Sequence, residues 1–257
     1  MNEYDELVER IESGQSLRNI VLIEADLAGI DLSGLDLTQA NMLEVDLAEA
    51  NLAGANFSSA ILNRANLAGA NLIEANMTTA SLIQCTLNHA NLSKANMIGT
   101  MLNMAQMNEA NMEYTNFAGA GLNKAHMRSA KMTGAILSGS DCSRIDAVSA
   151  NMTIANLVRV NMTGANLENV NLTAAVANFA NLSRARMVGA YLMGTKLQNA
   201  DLSGADLSRA ILTGADLSGA DLRDADLSHA NLTTAKLDDA RLDGAKMTGT
   251  IGYVKMR

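Results

Sequence analysis

The chain has no proline and no tryptophan, only 3% aromatic residues, and two cysteines among 257 residues. Each shortage excludes something. Without large rings the core is built from Leu, Met and Ala, which suits identical thin layers better than one rounded interior. Two cysteines, Cys85 and Cys142, are too few for a disulfide framework. No run of about 18 apolar residues occurs, so no membrane span is expected. The N-terminal stretch MNEYDELVERIESGQ is acidic and lacks the apolar segment of a secretory signal, which places the expected compartment in the cytoplasm. Excess basic charge is also missing. The net charge of −8 argues against direct nucleic-acid binding, which calls for a basic footprint.

What the chain has instead is a period. Counting in fives from Leu22 to Met247 gives 46 positions, of which 30 are Leu, 11 Met and 2 Phe (Phe57 and Phe117), with Cys142, Ala147 and Ala177 as exceptions. Two residues before each, 34 of 46 are Ala, and the residue between is Asn or Asp in 28 of 46. A helix carries successive fifth residues around its circumference, and a straight strand sends them to alternate faces. A chain that turns a corner every five residues keeps them all inward. An uninterrupted register of this kind predicts a solenoid in which each coil covers the apolar edge of the next.

The stretches ADLSGADLSRA and ANLAGANFSSAILNRANLAGANL resemble the pentapeptide-repeat family, whose repeat is A-(D/N)-L-x-x. The resemblance implies an all-β fold, a right-handed four-sided parallel β-helix with four repeats per 20-residue coil. Forty-six repeats then make about 11.5 coils, a rod of roughly 55 Å at about 4.8 Å per stacked strand. The expected organisation is an N-terminal capping helix and lead-in over 1–19, the β-helix over 20–250 and a short tail over 251–257. Tyr4, Leu7, Val8 and Ile11 share one face of the helix, with Asn2 placed to cap its start and Gly14 to end it. The tail, with Tyr253, Val254 and Met256, is expected either to cover the last coil or to meet a second copy, so a homodimer through the C-terminal end stays open.

The 20-residue register assigns outward positions to sides of the rod. His89, His126 and His229 fall on one side, but the first two are nearly two coils apart and the last two about five, too far to share a metal or relay a proton. Cys85 and Cys142 point inward. Nothing resembles a phosphate loop, a nucleophile elbow or a carboxylate pair, so the chain reads as no enzyme and needs no cofactor. A column of Thr133, Thr153, Thr173, Thr213 and Thr233 is interrupted by Met193 and reads as a strand-edge ladder.

Charge is uneven. Residues 1–50 hold 12 acidic and 2 basic groups, 51–200 hold 6 and 10, and 201–257 hold 9 and 7. Like charges stack in columns at Glu24 and Glu44, Asp26 and Asp46, Asp201 and Asp221, and Asp206 and Asp226. Arg64, Lys124, Arg144 and Arg184 share one equivalent position, an expected docking strip for an acidic protein partner. Ile136, Val158, Val176 and Phe179 gather on another side as a second candidate contact, with Tyr191 and Met193 one side away. The expected function is a non-catalytic scaffold that docks a protein partner through these columns. The family resemblance implies an alternative: a DNA mimic that binds a type II topoisomerase such as DNA gyrase and modulates or protects it. The basic middle of this chain departs from that pattern. A third role, around secretion or the cell envelope, is also implied by the resemblance.

Overall fold

In the computed structural model, which describes residues 3–252 with side chains from Leu7 onward, one helix leads into a continuous parallel winding. Helix α1 spans Glu3–Glu12. Leu7 is fully buried, and Ile11 packs against the core of the first coil. The helix stops in a Schellman arrangement: the amide of Gly14 donates to Ile11 at 3.1 Å and that of Gln15 to Arg10 at 2.9 Å. Gly14 has φ +67, a conformation that closes this cap at little steric cost. Asn2, the Tyr4 side chain, Tyr253, Val254 and Met256 lie outside the described residues.

From Val21 onward every β-bridge is parallel and joins residue n to residue n+20, without interruption from Val21↔Asn41 to Asn231↔Ile251. Bridges recur every five residues, so each coil has four sides, and each side contributes a strand one bridge long. We number them side 1 (residues 21–24 and their 20-residue equivalents), side 2 (26–29), side 3 (31–34) and side 4 (36–39). Side 1 is therefore opposite side 3.

A repeat with Asp or Asn at its second position can account for all five of its backbone donors, as the one around Leu47 does. Around Leu47, the Asp46 amide donates to Ala25 of the preceding coil at 2.9 Å, and the Leu47 amide to Asn66 of the next at 2.7 Å. The Glu49 amide also reaches the next coil, at Ala68, 2.8 Å away. The Ala50 amide closes the corner on the Leu47 carbonyl at 3.1 Å. The remaining donor, the Ala48 amide, goes to Oδ1 of Asp46 at 2.9 Å. This last bond explains the Asn/Asp preference, because a short side-chain acceptor two residues back substitutes for a backbone partner at the corner. Asn adds a rung: Asn71 Nδ2 donates to Asn51 Oδ1 and Asn76 Nδ2 to Asn56 Oδ1, each at 3.0 Å.

The inward Leu, Met and Phe side chains stack along the rod axis with Ala beside them, all but fully buried through Leu232. Where Thr or Ser replaces the inward Ala, its hydroxyl is satisfied by a carbonyl, as for Thr115 to Leu92 at 2.6 Å and Thr195 to Leu172 at 2.7 Å. Cys85 and Cys142 are free and buried.

The last residue of each repeat sits at positive φ, as the third residue of a type II turn must. Glycine fills some of these corners, but so do Glu, Arg, Lys and even Ile154, at φ 53. A β-branched residue is the least suited to this region, and the Ile154 side chain is half exposed, with little burial to compensate. Replacing Ile154 with Gly is expected to raise stability by about 1 kcal/mol, read as an upward shift of the thermal midpoint in dilute protein.

Candidate docking surfaces

The corner column of side 1 reads Glu24, Glu44, Arg64, Gln84, Met104, Lys124, Arg144, Gly164 and Arg184. All of its non-glycine members have positive φ, which turns their side chains out from the edge of the rod. Arg64 donates to Glu44 one coil below at 2.8 Å. It is thereby neutralised and stands apart from the other cations, beyond Gln84 and Met104. Lys124, Arg144 and Arg184 have no side-chain acceptor among the described residues. Elsewhere many cations are engaged: Arg128 with Asp146, Arg186 with Glu168, Lys94 with Glu74 and Lys246 with Asp226. The Lys124–Arg184 stretch is therefore a run of uncompensated positive charge. On the opposite edge of this side Asp141 accepts from the neutral Ser143 and Asn161, which leaves its negative charge in place, but it pairs with none of these cations.

Side 1 carries a second feature that the charge columns obscured. Below Lys124, between the polar corners Glu24, Glu44, Arg64 and Gln84, it carries exposed apolar groups on alternate coils. Val21 is 58% exposed, Ile61 42%, Met101 44% and Met104 42%, with Leu43 and Ile83 half-buried between them and Asn41 and Ser81 interleaved in the column. Val21, Ile61 and Met101 stand at the position where the repeat prefers Asn or Asp, so the signal was present in the sequence as broken consensus. The stripe runs into the cations, since Met104 stacks directly beneath Lys124.

On side 4, Ile136 and Val176 share a column but are separated by Asn156, which bridges both. These two and Val158 are half-buried. Phe179 projects from a corner with 54% of its surface exposed, and the Arg159 guanidinium lies over its ring at 5.8 Å from the centroid. This is cation–π distance, so the ring presents a cationic cover as well as an apolar edge. The four predicted residues thus lie on one side over three coils, interleaved with Asn156 and Arg159.

The remaining sequence candidates stay dispersed. His89 approaches Glu109 at 3.6 Å, but no group of three or more His, Cys, Asp or Glu able to hold a metal occurs among the described residues. Burial pushes the Cys85 thiol far up and that of Cys142 to about 12, which makes both poor nucleophiles at neutral pH. No helix among the described residues is long and apolar enough to cross a membrane.

The acidic columns near the C-terminal end are partly neutralised. Asp221 accepts from Arg223 beside it and pairs with Arg241 at 3.5 Å. Hydrogen bonding from the Arg223 side chain and backbone, opposed by desolvation and assisted by the charges of Arg223 and Arg241, holds the Asp221 carboxyl at about 2. Asp216 and Asp226 are lowered as well, mainly by bonds from Ser218 and Ser228. A carboxyl depressed on folding adds stability that is complete above its unfolded value, near 4, and is lost as pH falls through the folded one. The thermal midpoint is therefore expected to change little between pH 7 and about pH 5 and to fall steeply from about 4 to 2. Arg223→Ala should make that fall shallower, which a melting series across pH reads directly.

The sequence pattern of the family described as pentapeptide repeats (8 copies) matches the chain in overlapping or abutting segments, from 16–52 at one end to 215–251 at the other, that leave no gap between them. Among solved structures, the chain is similar to HetL, a pentapeptide repeat protein involved in heterocyst differentiation regulation from the cyanobacterium Nostoc sp. strain PCC 7120. The identity is 28%, covering 98% of either chain, with a TM-score of 0.39. It is also similar to QnrB1, a plasmid-mediated fluoroquinolone resistance protein, at 17% identity over 89% of this chain and 90% of that one, with a TM-score of 0.34. A pentapeptide repeat protein from the Arabidopsis thaliana thylakoid lumen matches at 32% identity over 37% of this chain and 63% of its own, with a TM-score of 0.21. No curated protein matches the chain.

Proposed function

The chain belongs to the pentapeptide-repeat family, whose fold is the right-handed β-helix, and from that premise we propose that it is a non-catalytic interaction scaffold that docks an acidic protein partner along side 1. The observation that carries this reading is the run of Lys124, Arg144 and Arg184, cations without acceptors at stacked corners, continued below by the apolar stripe of Val21, Ile61, Met101 and Met104. Together they favour a partner surface with an apolar end and an acidic end, fitted lengthwise. Arg64, already bonded to Glu44, contributes least. The Ile136, Val158, Val176 and Phe179 group on side 4 is the second contact.

The uncompensated charge acts mainly on encounter and orientation, while the apolar stripe supplies burial. A topoisomerase-binding DNA mimic would instead need regular uncompensated negative charge. Here three members of the acidic columns, Asp221, Asp226 and Glu44, each hold a cation, while Glu24, Asp26, Asp46, Asp201 and Asp206 hold none among the described residues. The negative charge is thus broken rather than regular, which favours the scaffold. Two measurements separate the readings. In a gyrase supercoiling assay the purified protein is expected to have no effect with or without a quinolone; inhibition or protection at about micromolar protein would transfer the function to the acidic ends. Capture of partners from a lysate should weaken with added salt over the range in which charges become screened, and salt-independent capture would leave the cationic strip without a role.

A further inference from the structure

Side 3 differs from its neighbours over the distal half of the rod. Between Met132 and Ala235 none of its outward positions carries Asp, Glu, Lys, Arg or His, whereas sides 1, 2 and 4 each carry several charges over the same coils. The surface is not bland, however. Ile154 is 52% exposed, Tyr191 43% and Met193 42%, beside the Thr column. Large apolar groups on a flat, uncharged side of an acidic chain mark a surface that is covered when the protein is at work.

We propose that this surface pairs two copies of the chain back to back, with rod axes antiparallel and a two-fold axis along the strand direction between the coils of Thr173 and Met193. The occupant follows from the pattern of large and small side chains. Under that axis, outward columns face themselves in reverse order. Tyr191 then faces Asn171 of the other copy, Met193 faces Thr173, and Ile154 faces Gly214, so each bulky group meets a shorter one. Thr153 faces Thr213, and Lys131, at the edge, faces Asn231, so no charge opposes a like charge. Such an isologous contact requires only that one patch be complementary to itself, which the sequence of side 3 satisfies around this one point.

Six coils at about 4.8 Å give a patch roughly 29 Å tall, and two such sides bury on the order of 1,000 Å² in total, at the low end for a specific contact. The pairing is accordingly weak and reversible, with a dissociation constant of about 10 to 100 μM. Because side 1 is opposite side 3, the pair presents both cationic strips outward on its two flanks. The scaffold becomes bivalent for its partner, although self-association itself stands whether or not side 1 binds anything.

Sedimentation velocity over about 1 to 200 μM tests this. The wild-type chain is expected to shift from monomer to dimer, and Thr173→Glu with Met193→Glu, which sets two pairs of carboxylates face to face, should stay monomeric with its thermal midpoint nearly unchanged. Register is tested by Thr153→Cys with Thr213→Cys and a short bismaleimide. The two sites are three coils apart within one chain, about 14 Å, but face each other across the pair, so the double variant should give a covalent dimer and Thr153→Cys alone should not. The native thiols of Cys85 and Cys142 are buried and do not compete. A chain that is monomeric throughout, a dimer indifferent to the two glutamates, or equal cross-linking by the single variant would each overturn the proposal.

Discussion

Leu157→Lys is expected to unfold the rod at temperatures where the wild-type chain is intact. Leu157 is 1% exposed and sits mid-rod in an inward column, with Leu137 one coil below and Ala177 one above. A lysine there points along a dry axis closed by coils on both sides, and its stem cannot reach solvent past the hydrogen-bonded backbone. It must either keep an unpaired charge in the core or give up its proton, and the penalty is on the order of 5 kcal/mol either way. In a winding where each coil touches only its neighbours, a faulty layer also separates the coils on either side. For a chain of this size the midpoint should drop by about 10 to 20 °C. Val158→Lys, one residue on but pointing outward, should move it by no more than about 2 °C. Circular-dichroism melts of the two variants decide the matter, and a Leu157→Lys chain that melts with the wild type would invert the assignment of inward and outward positions.

The second large effect is on binding rather than stability. Lys124→Glu combined with Arg144→Glu should leave the thermal midpoint unchanged, since neither side chain makes an internal bond to lose. It replaces two attractive charges with two repulsive ones at adjacent corners of the strip. Affinity for an acidic partner should fall about 10- to 100-fold, most strongly at low ionic strength, with the loss concentrated in the association rate. Reversal of Arg209, an outward cation on side 2, is the control and should leave binding nearly intact. Equal loss from the control would show that net charge, not the strip, attracts the partner.

The five-residue frame was legible because only a chain that turns at every repeat keeps Leu22, Leu27 and their successors together. The reason for Asn and Asp beside them was only half legible. They read as outward polar residues, whereas Asp46 and its equivalents hold a corner amide and Asn71 and Asn76 build ladders between coils, roles that depend on side-chain torsions the sequence does not display. The 20-residue spacing sets Arg64 next to Glu44, yet grouping by like charge assigns Arg64 to the strip rather than to the 2.8 Å pair it makes. Arg159 over Phe179 is another 20-residue pair of the same kind. The apolar stripe on side 1 and the uncharged half of side 3 are both implicit in the same stacking. They emerge only when every outward column is read for what it lacks as well as for what it carries.

Whether the partner lies along side 1 can be read with a site-specific photo-cross-linker, which captures a binding protein before that protein has been identified. Met104 is the position of choice, exposed at a corner directly beneath Lys124. A photoreactive residue there is expected to trap an acidic protein in cells. Lys124→Glu with Arg144→Glu should abolish the adduct, and the same probe at Ser129, a corner of side 2, should yield none. An adduct of equal yield at Ser129, or one at Met104 that survives both charge reversals, would place the partner elsewhere and refute the docking strip.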